Sequence, residues 1–257
     1  MGIESMAEID RAAYWIEDSR ADVLVLRHSA GTRRTLTIAA MDELANRLGQ
    51  LSSSDNPPVV ILDIDIRHAE LDELVQMCHG RPISDFSPWG KAIAAVHNYS
   101  LPVVAAISNQ ATAGGLELAL ACDLRIVAPN AVLGLPEIRM GIIPGGGGTQ
   151  RLPRRIGLGS AALLIFSGRT VDGQEAYRLR LAEVVADKPL EFALELAATF
   201  AANGRLGLIA AKRALLAAEE KPLAEGLREE GRAFLSLISL PQTADRLQVW
   251  RSGAEHL

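Results

Sequence analysis

The sequence has little that would indicate a disulfide-stabilised, strongly basic or membrane-spanning protein. Only two of its 257 residues are cysteines, Cys78 and Cys122, which are too few for a disulfide framework and favour a reducing compartment. Aromatic residues make up 4% of the chain, and 26 Lys plus Arg stand against 31 Asp plus Glu. The net charge of −5 argues against a general binder of nucleic acid or of membrane surfaces, because such proteins recruit partners through excess basic residues.

Long apolar runs are missing as well. The first twenty residues are interrupted by charges and lack the apolar stretch of a signal peptide. The apolar runs at 103–107 and 161–166 are far shorter than a membrane span. We therefore expect a cytoplasmic protein with no membrane partner. The apolar fraction of 49% is enough for a large core and excludes a disordered chain.

Strand and helix patterns alternate over the first part of the chain. Periodicity and turn residues predict strands at 23–26, 59–66, 103–107, 123–128 and 131–133, with helices at 38–51, 70–78 and 90–99. Beyond about residue 150 the strand signal fades, and helices are predicted at 158–166, 173–180, 189–202, 206–219 and 222–239. We expect an α/β core over residues 1–190 and a helical C-terminal region over residues 191–257, which together form one functional unit.

The residues that carry chemistry are concentrated between positions 101 and 152. Gly114 and Gly115 follow a buried strand and precede the helix-favouring segment LELALA. The first N–H groups of such a helix have no intrahelical partner and can stabilise a developing oxyanion. Glu117 falls in the first turn of this helix, and Glu137 follows Pro136 ahead of a glycine-rich turn.

Each of these glutamates also has an ordinary interpretation. A first-turn Glu117 complements the helix dipole, and Glu137 on its own is a solvated loop carboxylate. If the two carboxylates converge, they can divide acid and base work on one water molecule. Their spacing in the sequence leaves both interpretations open.

This segment resembles the signature of the enoyl-CoA hydratase/isomerase (crotonase) superfamily. The family pattern reads P-V-[IV]-A-A-[IV]-N-G, then A-x-G-G-G-x-E-L-A-x-x-C-D-x-R-[IV]-A, then F-G-x-P-E-[IV]-x-x-G-[IL]-x-P-x-x-G-G-[TS]-Q-R-L. The matching positions are 102–107, Gly114, Gly115, 117–119, Cys122, Asp123, Arg125, Ile126, 136–138, Gly141, Pro144 and 147–152. Weaker similarity extends to both sides and covers most of the chain.

The resemblance implies a right-handed spiral of ββα units followed by helices that mediate trimerisation, often as a dimer of trimers. It implies an acyl-CoA thioester as partner and an enolate oxyanion held by the backbone N–H groups of Gly114 and Ala69. Of the two matching carboxylates, Glu117 is expected to orient and activate water, and Glu137 to deliver a proton to C2. The positions expected to contact substrate are His68, Gly115, Pro136 and Gly141. No metal or redox cofactor is implied, because CoA is part of the substrate.

The sequence departs from the family pattern in the stretch 63–72. This stretch is shorter than the family's loop and lacks its glycines, with His68 at a glycine position and Asp72 where a lysine usually lies near CoA. Ala113 also replaces a glycine, and residues 33–35 replace the usual N-A-L. Hydration of a 2-enoyl-CoA is the first expectation. Isomerisation or thioester hydrolysis on the same fold, and binding of acyl-CoA without turnover, stay open as alternatives.

Other motifs in the sequence lack the context that their chemistry requires. The glycine run 145–148 is not followed by the Lys and Ser or Thr of a phosphate-binding loop, and the dinucleotide-like letters at 157–162 follow no strand and favour a helix start. His68, Cys78 and His79 lack the spacing of metal ligands. The basic residues Arg151, Arg154 and Arg155 fit a solvated face, a contact with CoA phosphates or a contact with an acidic neighbour.

Overall fold

The chain winds through four successive ββα turns. The structure, a computed structural model, describes residues 13–29, 34–79 and 87–253. After β1 (Trp15–Arg20), the first turn consists of β2 (Val23–His28), β3 (Thr35–Leu36) and α1 (Ile38–Ser52). The second consists of β4 (Val59–Asp63), β5 (His68–Ala69), α2 (Leu71–Cys78) and α3 (Ser87–His97). The third consists of β6 (Val103–Ile107), β7 (Gln110–Thr112) and α4 (Gly114–Ala121). The fourth consists of β8 (Leu124–Val127), β9 (Val132–Gly134), a 3₁₀ helix (Glu137–Met140) and α5 (Gly148–Ile156).

The first strand of each turn adds to one large sheet, and the second strand leaves it. The large sheet has the order β1-β2-β4-β6-β8-β11, where β11 is Val184–Val185, and it is parallel except for the β1–β2 hairpin. The second strands form two small sheets, β3-β5 and β10-β9-β7, where β10 is Thr170–Val171. This arrangement confirms the predicted spiral of ββα units.

Both faces of the large sheet are buried, which explains the nearly continuous apolar strands. Leu24 and Leu26 face the larger core with α1, α3 and α4, whereas Val23 and Val25 face a second cluster on the opposite side. Ala193 and Ala197 of α8 (Pro189–Ala202) cover that second cluster. The predicted boundary after residue 190 therefore falls inside a helix that lies on the sheet.

The remaining helices are α6 (Leu158–Ser167), α7 (Gly173–Arg178), α9 (Arg205–Glu220), α10 (Leu223–Ile238) and α11 (Pro241–Arg251). Lys212 attaches α9 to the core, because its ammonium donates to Asp123 at 2.7 Å and to the Leu101 carbonyl at 3.0 Å. By contrast, α10 and α11 have no buried residue and expose large apolar side chains. Within the described ranges, no helix is long and apolar enough to cross a membrane.

Several elements differ from the sequence-based expectations. The strand at 103–107 and the helix at 189–202 agree residue for residue. The sequence did not predict β1, β7, α5, α11, the 3₁₀ helix or the two-residue strands. The predicted strand 59–66 ends at Asp63, and Ile66 makes only a single bridge to Ala111. Gly157 immediately precedes α6, which confirms the helix start expected there.

Candidate active site

One cavity brings together residues from three separate turns of the spiral. Its volume is about 420 Å³, and its lining includes His68 and Ala69 of β5, Gly114 and Glu117 of α4, and Glu137 of the 3₁₀ helix. The rest of the lining is mostly apolar: Leu74, Met77, Cys78, Trp89, Ala113, Met140, Ile142, Ile143 and Gly145. The two glutamates therefore converge, and the interpretation of Glu137 as a solvated loop carboxylate is wrong.

Glu117 is buried in the first turn of α4 and held by two backbone amides. Its side chain is 3% exposed, and its Oε1 accepts the N–H groups of Gly146 at 2.7 Å and of Gly148 at 2.8 Å. Burial raises the pKa of the Glu117 carboxyl above its ordinary value. The two amide donors and the nearby Arg151 oppose that rise, because they stabilise the ionised form.

The glycine loop (residues 145–148) can approach Glu117 because it lacks side chains. A Cβ on Gly146 would stand 2.8 Å from Glu117 Oε2. A Cβ on Gly148 would stand 2.8 Å from Leu135 Cδ1 and Pro144 Cβ and 3.1 Å from Glu117 Oε1. The glycines that resemble a phosphate-binding loop in the sequence thus hold the protein's own carboxylate.

Glu137 occupies a different electrostatic environment from Glu117. It is 5% exposed, and among the described residues its Oε2 is buried without a hydrogen-bond partner. Burial, reinforced by the charge of Glu117, raises the pKa of the Glu137 carboxyl to about 7. Near neutral pH this group can therefore donate a proton, whereas Glu117 has donors arranged to stabilise its negative charge.

Gly114 begins α4 and packs closely against the ring of Trp89. A Cβ on Gly114 would stand 2.5 Å from the Trp89 ring, so only glycine fits between this ring and the start of the helix. Ala113, which precedes it, has φ 49° and ψ −126°, a combination dominated by glycine in tight turns. The replacement of the family's glycine by Ala113 therefore places a Cβ in a strained backbone at the cavity wall.

The stretch 63–72 contains the short strand β5 in place of a glycine loop. His68 and Ala69 pair in parallel with Thr35 and Leu36, so the Cβ of His68 is accommodated in extended backbone. The Glu70 N–H donates to the Leu36 carbonyl at 2.8 Å. Because successive N–H groups along a strand face opposite sides, the Ala69 N–H is directed away from β3. Ala69 lines the cavity with Gly114.

The other expected substrate contacts lie outside this cavity lining. Gly115 packs on Ile66, since a Cβ there would stand 2.8 Å from the Ile66 carbonyl oxygen. Pro136 precedes the 3₁₀ helix, and Gly141 ends it with φ 75°, a left-handed conformation that favours glycine. These positions shape the segment that carries Glu137, and their contact with substrate stays a prediction. Arg33, at a family position, lies outside the described residues.

Sequence reasoning missed the roles of the glycine loop, Trp89 and Arg151. Arg151 Nη1 donates to the Gly146 carbonyl at 3.2 Å, so this arginine belongs to the surroundings of Glu117. The spacing of the glycines between Glu137 and a helix start was visible in the sequence, but their contact with Glu117 depends on the fold. In the described part of the chain, no group of three or more His, Cys, Asp or Glu side chains is arranged to hold a metal ion.

Comparisons with known proteins identify the family to which the chain is related. The family model for enoyl-CoA hydratase/isomerase matches residues 30–248. The chain is 36% identical over 250 residues to the mitochondrial methylglutaconyl-CoA hydratase of Mus musculus, covering 93% of this chain and 78% of that protein. It is 34% identical over 230 residues to the 2,3-dehydroadipyl-CoA hydratase of Escherichia coli, covering 87% and 88%. The crystal structure of an enoyl-CoA hydratase from Bacillus anthracis superposes with a TM-score of 0.86 at 34% identity, covering 93% and 96% of the two chains.

Proposed function

The chain belongs to the enoyl-CoA hydratase/isomerase family, and we propose that it catalyses the reversible syn addition of water to a 2-enoyl-CoA thioester. It is an enzyme of the lyase class, related to the hydratases of acyl-CoA metabolism. The observation that carries the proposal is the pair of buried glutamates that line one cavity beside the start of α4. Their different surroundings suit one carboxylate that stays ionised and one that holds a proton.

The two glutamates divide the proton transfers. Glu117 accepts a proton from water as the water oxygen bonds to C3, and Glu137 donates a proton to C2. Before the next turnover, Glu117 releases its proton to solvent and Glu137 takes one up. The raised pKa of Glu137, about 7, makes it an effective acid at neutral pH. The two amide donors to Oε1 of Glu117 fix the carboxylate in place for its reaction with water.

The N–H groups of Gly114 and Ala69 stabilise the charge that develops on the thioester oxygen. Gly114 lies at the positive end of α4, where helix N–H groups have no intrahelical partner. The Ala69 N–H supports it from β5. Preorganised donors of this kind commonly contribute a factor of about 10²–10³ each to the rate. The reaction needs no metal or redox cofactor, since the thioester supplies the activation.

The surroundings of the cavity favour an acyl-CoA with an apolar acyl group. In the described part of the lining, His68 and the two glutamates are the titratable groups other than Cys78, and no Lys or Arg is present. A second cleft, of about 700 Å³, shares His68 and Met140 with the cavity and carries Arg34, Arg67 and Arg139. We assign the acyl chain to the apolar cavity and the CoA phosphates to this arginine-lined cleft.

The exposed apolar faces of α10 and α11 support the expected self-association. Phe234 and Leu235 of α10 are 61% and 64% exposed, and Trp250 of α11 is 53% exposed. Apolar patches of this kind mark interaction surfaces. We propose a trimer or a dimer of trimers, which sedimentation velocity would distinguish from the monomer.

The test of the reaction is the loss of conjugated-enoyl absorbance when the purified protein meets crotonyl-CoA. We expect rapid loss in the wild type and a decrease in kcat of at least about 100-fold in Glu117→Gln and in Glu137→Gln. Mass analysis should show the addition of one water. Release of free CoA thiol instead would indicate thioester hydrolysis, and a moved double bond would indicate isomerisation. Binding without any product would indicate a non-catalytic acyl-CoA-binding protein.

The assignment of the CoA cleft has its own test. Arg67→Gln should raise KM for crotonyl-CoA while leaving KM for crotonyl-pantetheine, which lacks the nucleotide phosphates, unchanged. An equal effect on both thioesters would contradict the assignment.

A further inference from the structure

Arg151 lies on α5 next to the glycine loop, outside the substrate cavity. It lines a separate cleft of about 380 Å³ together with Gly147, Arg154, Arg155 and Glu219, among others. Its side chain is partly buried. None of the residues of this cleft is among those that line the cavity of Glu117 and Glu137.

The guanidinium of Arg151 contacts the loop at two consecutive residues. Nη1 donates to the Gly146 carbonyl at 3.2 Å. The guanidinium also lies so close to Gly147 that a Cβ on that glycine would stand 2.1 Å from Nη1. Gly147 has φ 102° and precedes α5, and its carbonyl accepts the backbone N–H of Arg151 at 2.8 Å. Arg151 thus holds the loop through both its side chain and its backbone.

We propose that Arg151 is a positioning residue for Glu117, whose carboxylate it orients through Gly146. This inference rests on the proposed function, in which Glu117 activates water. Gly146 accepts a hydrogen bond from Arg151 at its carbonyl and donates one to Glu117 Oε1 from its N–H. A glycine loop has no side chains with which to fix itself, so its position depends on such contacts from outside.

The charges around the two groups give Arg151 an electrostatic role as well. Glu117 faces the carboxyl of Glu137 on the 3₁₀ helix and the guanidinium of Arg151 on α5. Arg151 in turn faces Glu117, Glu219 of α9 and Arg154. Its positive charge lowers the pKa of the Glu117 carboxyl against the larger effect of burial. Because the site is poorly solvated, this charge acts more strongly than it would on an exposed pair.

Arg154 is a matched control on the same helix. It is exposed, and its Nη1 donates to the Gln150 carbonyl at 2.7 Å instead of to the loop. Replacing Arg154 or Arg151 removes one positive charge from α5 in each case. Only the replacement of Arg151 removes the contact with Gly146.

The test is an NMR titration of the protein with ¹³C-labelled glutamate carboxyls, in which the Glu117 signal is identified by its loss in Glu117→Gln. Arg151→Met should raise the titration midpoint of Glu117 by about one pH unit or more, and Arg154→Met should leave it unchanged. Arg151→Lys, which keeps the charge, should restore most of the difference. Equal midpoints in the two Met variants would overturn the inference. Melting temperatures and near-UV circular dichroism show whether each variant is folded, and Arg151→Gln replaces Arg151→Met if the latter does not fold.

Catalysis gives a second readout. With crotonyl-CoA, Arg151→Met should move the acidic limb of the kcat/KM profile to higher pH and lower kcat at neutral pH about tenfold, with KM little changed. A change in KM alone would contradict positioning. The titration needs no substrate, so failure of hydration in the wild type and failure of this inference give different results. A shifted midpoint in a protein that hydrates nothing would reject the hydratase proposal and retain the control of Glu117 by Arg151.

Discussion

Replacement of Glu137 by Gln should stabilise the folded protein at alkaline pH while lowering the rate of hydration at least about 100-fold. In the folded state the pKa of this carboxyl is about 7, compared with an ordinary value of 4.5. The folded state therefore binds the proton more tightly than the unfolded state does. The contribution of Glu137 to the free energy of unfolding is largest below pH 4.5, falls as the pH rises to about 7 and is constant above that. A glutamine side chain does not titrate in this range, so the free energy of unfolding of Glu137→Gln lacks this pH-dependent contribution.

The magnitude follows from the two pKa values. The difference between about 7 and 4.5 is about 2.5, which at about 1.36 kcal/mol for each pKa unit gives an upper limit of ~3.4 kcal/mol. The carboxyl lines an open cavity that admits water, so we expect ~1.5–3 kcal/mol. For a chain of this length, 1 kcal/mol corresponds to about 2–4 °C in Tm. The expected pH-dependent gain is therefore roughly 3–12 °C.

The assay is thermal unfolding of the wild type and of Glu137→Gln at about pH 5 and about pH 8.5. Most of the change in the contribution of Glu137 to stability falls between these two pH values. The gain in Tm should be larger at the higher pH by the amount given above. Glu195→Gln, on the exposed side of α8, is the control and should show no such difference. An equal gain at both pH values would refute the reasoning, because it would mean that Glu137 titrates alike in the folded and unfolded states.

Three further predictions concern the loop, the helix start and the acyl group. Gly148→Ala should lower kcat by about 10–100-fold, because the added Cβ would stand 3.1 Å from Glu117 Oε1. The control Gly159→Ala, whose Cβ would have no atom within 4 Å, should keep its activity, and equal activities of the two variants would contradict this prediction. Ala113→Gly should raise the free energy of unfolding, measured in urea, by ~0.5–2 kcal/mol, because glycine relieves the strain at φ 49°. A lower free energy of unfolding in the variant would show that the backbone at Ala113 is not strained. The kcat/KM for 2-hexenoyl-CoA should exceed that for 3-methylglutaconyl-CoA by at least about tenfold, because the described cavity lining has no Lys or Arg to pair with a distal carboxylate. Similar values would contradict the assignment of an apolar acyl group to this cavity.

The large elements could be predicted because their sequences match one physical environment throughout. The strand at 103–107 is apolar on both faces, as a central parallel strand requires, and α8 begins at Pro189 where proline is tolerated. By contrast, β1 has the sequence WIEDSR, in which only Trp15 is buried, so its largely polar and charged sequence does not predict a strand. Pairing with β2 at the edge of the sheet forms this strand, and that information is not local. Similarly, α5 contains Pro153 and begins with glycine, both of which weaken the helical pattern.

The residues of the candidate site were largely identifiable, but their relations were not. Family spacing indicated Glu117 and Glu137, whereas their convergence in one cavity depends on how successive turns of the spiral stack. The stretch 63–72 lacks the glycines of the family loop and still brings Ala69 to the cavity, because pairing of β5 with β3 sets its backbone. Conversely, the replacement of a family glycine by Ala113 was visible in the sequence, but the backbone conformation that it adopts, which favours glycine, was not.

The glycine loop shows why the sequence resembles a phosphate-binding motif without being one. Both arrangements need backbone N–H groups that approach an anion closely, and glycine permits this approach whatever the anion is. In phosphate-binding loops the anion is a ligand, and a lysine on the following helix adds positive charge. Here the anion is Glu117, held by Gly146 and Gly148, and the positive charge on the following helix is Arg151. A glycine run before a helix therefore predicts an anion site, and only the fold shows that this anion belongs to the protein itself.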